Sequence, residues 1–141
     1  MQVWILNRRG EFLCSKRTEG RPWGGYWECT GGSAISGDDS LTTALKEVKE
    51  ELGITLDPDN GNIFTRIVRP NPDESIQRTG YGIIDVWLFR QDVPIEDVVL
   101  CPDETTDARW MCKAEILSLI GKDQFIGYEF YPYLKEMFAA T

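Results

Sequence analysis

Residues 32–54 of this 141-residue chain read GSAISGDDSLTTALKEVKEELGI, a glycine-containing loop followed by a helix-forming stretch. Aliphatic residues in its second half recur at intervals of three and four positions, which is the spacing of one buried helix face. They are Leu41, Ala44, Leu45, Val48 and Leu52. The residues Asp38, Asp39 and Ser40 can cap the helix N-terminus, and we favour Ser40. Gly53 suits the left-handed C-terminal position, so the stretch predicts an amphipathic helix packed on a core.

The same helix carries three glutamates on one side. At about 100° per residue, Glu47, Glu50 and Glu51 fall within a sector roughly 100° wide. Each repulsive pair of these charges costs about 0.2–0.5 kcal/mol in an isolated helix, and a bound cation would turn that repulsion into affinity. The ordinary alternative is a solvated helix surface with a Lys46–Glu50 ion pair. We favour a metal site over this alternative, because the three glutamates repel one another. Mg2+ suits such a site, because it prefers oxygen ligands and takes others from substrate phosphates.

Two glycines stand at the start of the loop. Without side chains, Gly31 and Gly32 let the backbone come close to an ion or a phosphate group. We therefore expect both glycines to contact the substrate. Loop and helix together predict a site for divalent metal and phosphate.

The segment resembles the signature of the Nudix hydrolases, enzymes that cleave a nucleoside diphosphate linked to another moiety. That signature reads Gly, five residues, Glu, seven residues, Arg-Glu, an aliphatic residue, any residue, Glu-Glu, any residue, Gly and an aliphatic residue. The matching positions are Gly32, Glu47, Val48, Glu50, Glu51, Gly53 and Ile54. Asp38 stands where the family has Glu, and Lys46 stands where it has Arg. Both keep their charge, but Lys46 lacks the planar two-pronged contact of an arginine, so we expect an effect on rate more than on reaction type.

The resemblance implies an α/β (α+β) fold in which a mixed β-sheet is sandwiched between α-helices. It also implies Mg2+, or Mn2+ in its place, held by Glu47, Glu50, Glu51 and the carbonyl group of Gly31. These ions would bridge the diphosphate and acidify a water that attacks phosphorus. Glu47 and Glu104 are alternative general bases, and relatives often supply a further acid from a loop such as that of Glu104. The alternative without a function for this loop is a solvated acidic turn.

Cationic and aromatic residues precede the glycine loop. Lys16, Arg17 and Arg21 are local positive charges, and we take Arg17 as the candidate that binds substrate, although surface charges of this kind are often only solvated. Trp23, in a Pro-Trp-Gly-Gly turn, is the candidate for ligand contact. We assign Trp27, which enters a strand, to the core.

Composition excludes several other kinds of site. The chain has no histidine, and its four cysteines form no close pair, which argues against a zinc site and against a serine or cysteine triad. A hydrolase built from this sequence must use carboxylates and metal. We expect the cysteines to be buried thiols of a cytoplasmic protein. With no linker, repeat, long apolar run or visible signal peptide, residues 1–141 are predicted to form a single domain without membrane contact.

Charge limits the partners. The net charge of −8 argues against a nucleic-acid polymer, because such binding depends on Lys and Arg neutralising the phosphate backbone. A small diphosphate is still compatible when metal ions lie between it and the protein. The oligomeric state is left open, a homodimer included. The first strand begins within two or three residues, so we expect that the N-terminus is shortened relative to relatives, which would expose an edge for pairing.

Strand and helix patterns flank the central helix. Residues 3–6 and 11–16 predict a hairpin around the turn 7–10. The other predicted strands are 63–68, 81–89 and 108–111, and the later helices are 114–120 and 133–138.

Two further functions were weighed. The chain also resembles isopentenyl diphosphate isomerase around residues 26–41, but that enzyme needs cysteine and histidine where Gly32 and Ala34 stand, so we reject it. A non-catalytic diphosphate-binding domain with the same fold is the other alternative, supported only by Asp38 and Lys46. Turnover that depends on magnesium would separate the enzyme from the binding domain.

Overall fold

A computed structural model describes residues 1–31, 39–73, 75 and 82–141. These residues form a seven-stranded mixed sheet with helices on both faces. The strands are β1 (Gln2–Leu6), β2 (Glu11–Arg17), β3 (Trp27–Glu28), β4 (Thr30–Gly31), β5 (Gly61–Arg69), β6 (Gly82–Arg90) and β7 (Thr105–Cys112). The helices are α1 (Ser40–Leu52), α2 (Lys113–Gly121) and α3 (Leu134–Ala140). The α+β fold with a helix-covered mixed sheet is confirmed.

The first hairpin organises the sheet. Strands β1 and β2 are antiparallel, and β1 also runs parallel to β6 along its whole length, from Gln2 beside Val86 to Leu6 beside Arg90. Strand β5 is antiparallel to β6, and β7 is antiparallel to β2. The short strands β3 and β4 pair with β2 and β1 respectively. This pairing brings the start of β7 and the end of β2 to the same place as the glycine-bearing strand β4.

Side chains alternate between the two faces of each strand, so the sheet has two cores. On one side, Val3 and Ile5 of β1 pack with Val48 of α1. On the other side, Trp4 of β1 packs with residues of α2 and α3, including Ile116. The five aliphatic positions predicted to face a core all lie in the first cluster, where Ala44, Val48 and Leu52 are fully buried and Leu41 and Leu45 are half-buried.

The two ends of α1 follow from local chemistry. Asp39 is the N-cap, and its side chain accepts a hydrogen bond from the backbone N–H of Thr42 at 2.7 Å. The prediction of Ser40 as the cap is therefore wrong, because Ser40 is already the first helical residue and its hydroxyl accepts from the indole N–H of Trp87. Gly53 ends the helix at φ 68°, a left-handed conformation that glycine adopts without a Cβ clash.

The predicted strands and helices are found with shifted bounds. The 3–6 and 11–16 hairpin is confirmed, and β5, β7 and α2 extend beyond the predicted ranges at both ends. Strand β6 and helix α3 are each found slightly later than 81–89 and 133–138. Residue 81 lies outside the described residues, as do Gly32, Ala34 and Asp38, so the predictions for these positions are not tested.

Two of the cysteines differ from expectation. Cys14 and Cys29 are buried free thiols, as expected, but Cys101 is half-buried and Cys112 is exposed. Cys112 ends β7 on the outward-facing side of the alternation, which is why its side chain reaches solvent. Among the described residues, no helix is long and apolar enough to cross a bilayer.

Candidate active site

Glu51 lies at the centre of the site. It is only 6% exposed, and its buried Oε2 atom has no hydrogen-bond partner in the described part of the chain. Burial is the largest cause that raises the pKa of Glu51 to about 9. The neighbouring carboxylates that add to the rise are Glu28, Glu104 and Glu47, and the positive charge of Arg21 opposes it. A buried, unpaired carboxylate surrounded by other carboxylates is unfavourable unless something positive joins it.

The other two helix acids are progressively more exposed. Glu47 is half-buried, and its pKa is raised first by burial and then by the charges of Glu50 and Glu104. Glu50 is exposed. The burial of the three glutamates of α1 therefore increases from Glu50 through Glu47 to Glu51. A ligand that enters from solvent would meet them in that order.

Glu28 is a further acid of the site, and the sequence analysis did not include it. It lies in β3 between Trp27 and Cys29, which both belong to the core around Trp4, so Glu28 faces the opposite, α1 side of the sheet. Burial raises the pKa of Glu28 despite a charge-assisted hydrogen bond of 2.6 Å from Nη1 of Arg17. The alternation around Trp27 could have placed Glu28 beside α1, because neighbours of a core residue in a strand face the other way.

Glu104 directly precedes β7, and the fold brings it to the helix acids. Its carbonyl oxygen accepts two hydrogen bonds, from the backbone N–H of Thr18 at 3.0 Å and from Nη1 of Arg21 at 2.7 Å. Its carboxylate raises the pKa of both Glu47 and Glu51. The loop that the resemblance placed near the site therefore lies within electrostatic range of it.

Arg17, the candidate for substrate binding, is engaged inside the protein. Its guanidinium group forms the Glu28 ion pair, with side chains 17% and 12% exposed, and its Nε donates to the carbonyl oxygen of Pro22 at 2.8 Å. Gly31 lies in β4 opposite Gln2, and a Cβ at this position would come within 3.0 Å of a backbone carbonyl oxygen. The second glycine of the pair, Gly32, is outside the described residues.

Trp23 belongs to a small aromatic group. It is 45% exposed and has a φ of 60°, an uncommon conformation for a residue other than glycine. Its ring meets Tyr26 and Phe130 edge to face, with centroids 5.2 and 5.5 Å away. Trp27, in contrast, is 7% exposed and belongs to the core, as predicted.

The residues present fit a hard divalent cation. Within the described ranges, no three His, Cys, Asp or Glu side chains are already arranged as a complete set of metal ligands. The buried Oε2 of Glu51 nevertheless accepts no hydrogen bond from the described residues, so it can coordinate a metal ion. The carboxylates around it supply further oxygen ligands. Oxygen donors of this kind match Mg2+ or Mn2+ better than softer metals.

Comparisons with known proteins agree with this geometry. The family model described as NUDIX domain matches residues 1–134. An uncharacterized Nudix hydrolase of Listeria innocua is 34% identical over 143 residues, which cover 100% of this chain and 79% of the relative.

Solved structures share the fold. A MutT protein from Methanosarcina mazei superimposes with a TM-score of 0.67 at 24% identity, over 96% of this chain and 91% of that one. The Nudix domain of Shewanella oneidensis NrtR, solved in complex with ADP ribose, gives a TM-score of 0.62 at 15% identity, over 83% of this chain and 73% of that one.

Proposed function

The chain belongs to the Nudix family, and from that premise we propose that it is a magnesium-dependent hydrolase of nucleoside diphosphate derivatives. Membership makes it a Nudix-type pyrophosphohydrolase, an enzyme that hydrolyses phosphoric anhydrides. The proposed substrate is a nucleoside diphosphate linked to another moiety, or a related small diphosphate. ADP ribose, the ligand of the NrtR domain, is one compound of this class.

One observation carries the proposal. Glu51 is buried among carboxylates, and its Oε2 has no hydrogen-bond partner among the described residues. Proteins pair the polar groups they bury, so an orphaned acid at this position is best explained by a ligand. A divalent cation would supply the missing charge and allow Glu51 to ionise at neutral pH.

We assign the metal-binding role to Glu47, Glu50, Glu51 and the carbonyl group of Gly31. A bound divalent ion supplies charge neutralisation for the diphosphate and acidifies the attacking water. The protein's part is to position these oxygens on the rigid helix α1 and strand β4. The reacting groups are then already in place and do not need a separate diffusional encounter. Mn2+ is expected to replace Mg2+, because it accepts the same oxygen ligands.

Glu47 and Glu104 are the two candidates for the group that takes the proton of the attacking water. Glu47 is half-buried on α1, and Glu104 directly precedes β7. For Glu47, burial and the charges of Glu50 and Glu104 raise the pKa, which suits a proton acceptor near neutral pH. For Glu104 the support is its position, because its charge acts on both Glu47 and Glu51. Glu47→Gln and Glu104→Gln are compared at saturating Mg2+, where the variant that lacks the base should lose the rise of kcat with pH even when the metal site is filled.

The function is tested by phosphate release from nucleoside diphosphate derivatives and nucleoside triphosphates with Mg2+, with a coupling phosphatase or pyrophosphatase as each product requires. The double variant Glu50→Gln/Glu51→Gln should lower turnover at least ~100-fold. The matched control is Glu136→Gln, an exposed glutamate of α3 on the other side of the sheet. Binding of a panel member without turnover in the wild type would indicate a non-catalytic binding domain instead, and full activity in the double variant would refute the metal assignment.

A further inference from the structure

Arg21 is a cation at the acid cluster with a role that the metal site does not explain. It lies in the loop between β2 and β3, and its Nη1 donates to the backbone carbonyl oxygen of Glu104 at 2.7 Å. That partner is a neutral oxygen, so this hydrogen bond does not itself neutralise the positive charge. Arg17 differs, because its guanidinium group is neutralised by the buried carboxylate of Glu28 at 2.6 Å.

The charge of Arg21 reaches the buried acids. It lowers the pKa of Glu51 and that of Glu28, in each case against the larger effect of burial. Among the described residues, the ion pairs formed by arginines do not include Arg21. The arginine is therefore close enough to act electrostatically on the site and still has donors to offer.

The loop holds Arg21 in a fixed position. Its carbonyl oxygen accepts from the backbone N–H of Gly24 at 2.9 Å, and the backbone N–H of Thr18 donates to the same Glu104 oxygen as its guanidinium group. The hydroxyl of Thr18 also donates to the carbonyl oxygen of Pro102 at 2.8 Å. These bonds join the loop to the segment before β7, so little ordering remains for a ligand to impose.

We propose that Arg21 binds a phosphate oxygen of the diphosphate substrate, beside the carboxylates that hold the metal. The inference rests on the proposed function and adds to it the protein's own anion-binding group. A guanidinium group has five N–H donors in a planar fork that matches phosphate oxygens, and the contact to Glu104 uses one nitrogen. In this proposal Arg21 has a phosphate-binding role like the one predicted for Arg17, whose guanidinium group is paired with Glu28.

The test separates charge from the backbone contact. Arg21→Lys keeps the positive charge, and Arg21→Gln keeps an N–H donor for the Glu104 carbonyl oxygen without the charge. Binding of inorganic pyrophosphate with Mg2+ is measured by calorimetry, and KM and kcat are measured with the best substrate of the panel. Arg8→Gln is the matched control, because Arg8 is 92% exposed and pairs with Asp92 away from the acids.

We expect Arg21→Gln to weaken pyrophosphate binding and raise KM about 10- to 100-fold, the effect of losing a hydrogen bond to a charged group. Arg21→Lys should lose less affinity than Arg21→Gln, because it keeps the charge although it lacks the planar fork, and the melting temperatures of the two variants should be similar. An Arg21→Gln variant that binds pyrophosphate as tightly as the wild type, or a wild type that does not bind pyrophosphate, would overturn the proposal. If turnover is lost in Glu50→Gln/Glu51→Gln but pyrophosphate affinity is unchanged in Arg21→Gln, the function stands and only the role of Arg21 fails.

Discussion

The two sides of the sheet bury polar groups in opposite ways. On the side of α2 and α3, the indole N–H of Trp4 donates to the hydroxyl of Tyr133 at 2.8 Å, and that hydroxyl donates to Oε1 of Gln2. The amide nitrogen of Gln2 in turn donates to the carbonyl oxygen of Phe130 at 2.9 Å. Donors and acceptors are matched within the chain, so this network contributes to the fold without any ligand.

On the α1 side, Glu28, Glu47, Glu51 and Glu104 share a site that is not matched. Among the described residues, Glu28 is the one of these four acids with an ion-pair partner, and Oε2 of Glu51 accepts no hydrogen bond. The comparison teaches that a polar group buried for stability is completed by the protein, whereas one buried for function is left for a ligand to complete.

The first prediction concerns the pH dependence of stability without metal. Glu51 has a pKa of about 9 in the folded protein against an ordinary value of 4.5, so the folded state keeps a proton that the unfolded chain releases between those values. The free energy of unfolding should therefore fall as pH rises through that window, by up to about 1.4 kcal/mol per pH unit.

Glu51→Gln should remove most of this slope, leaving the smaller contributions of Glu28 and Glu47, whose pKa values are also raised. Urea unfolding in the presence of a chelator from pH 6 to pH 9 measures both proteins. If the free energy of unfolding changed with pH in the same way in wild type and variant, Glu51 would not be the source of the pH dependence.

The second prediction breaks the one pair that is matched on the α1 side. Arg17→Met would leave the buried carboxylate of Glu28 without its cation, at a cost of about 3 kcal/mol. Adding Glu28→Gln should restore part of the loss, because the uncompensated charge is gone. A double-mutant cycle of unfolding free energies measures the coupling, and an additive double variant would mean that the ion pair contributes little.

The third prediction breaks the matched network on the opposite side. Tyr133→Phe removes the acceptor of the Trp4 indole and the donor to Gln2, which should lower stability by about 1–3 kcal/mol. Because the network does not touch the acids, kcat and KM should stay within about twofold of wild type. A stable variant with altered KM would indicate that the two sides are coupled.

Local sequence patterns predicted much of this fold. The spacing of Leu41 to Leu52, the turn after β1 and the left-handed Gly53 depend on neighbours within a few residues, and all are found. The cap was misassigned to Ser40 because Asp39 and Ser40 offer equivalent oxygens, and the choice depends on Trp87, which is distant in sequence.

The site was predicted less completely, for the same reason. The sector of Glu47, Glu50 and Glu51 follows from helical periodicity, but their unequal burial depends on what packs against α1. Arg21 meets Glu104 only because β2 and β7 are adjacent strands, and a sequence separation of 83 residues leaves no local signal. Glu28 was missed although strand alternation around Trp27 could have identified it.

The central claim is that Glu51 is buried to bind a metal ion, and calorimetric titration of metal-free protein with Mg2+ and Mn2+ tests it most directly. At pH 7.5, in two buffers of different ionisation enthalpy, the wild type should bind the ion and release about one proton, because Glu51 must ionise to become a ligand. Glu51→Gln should bind at least ~10-fold more weakly and without that proton release. Equal affinity and equal proton release in the two proteins would contradict the account.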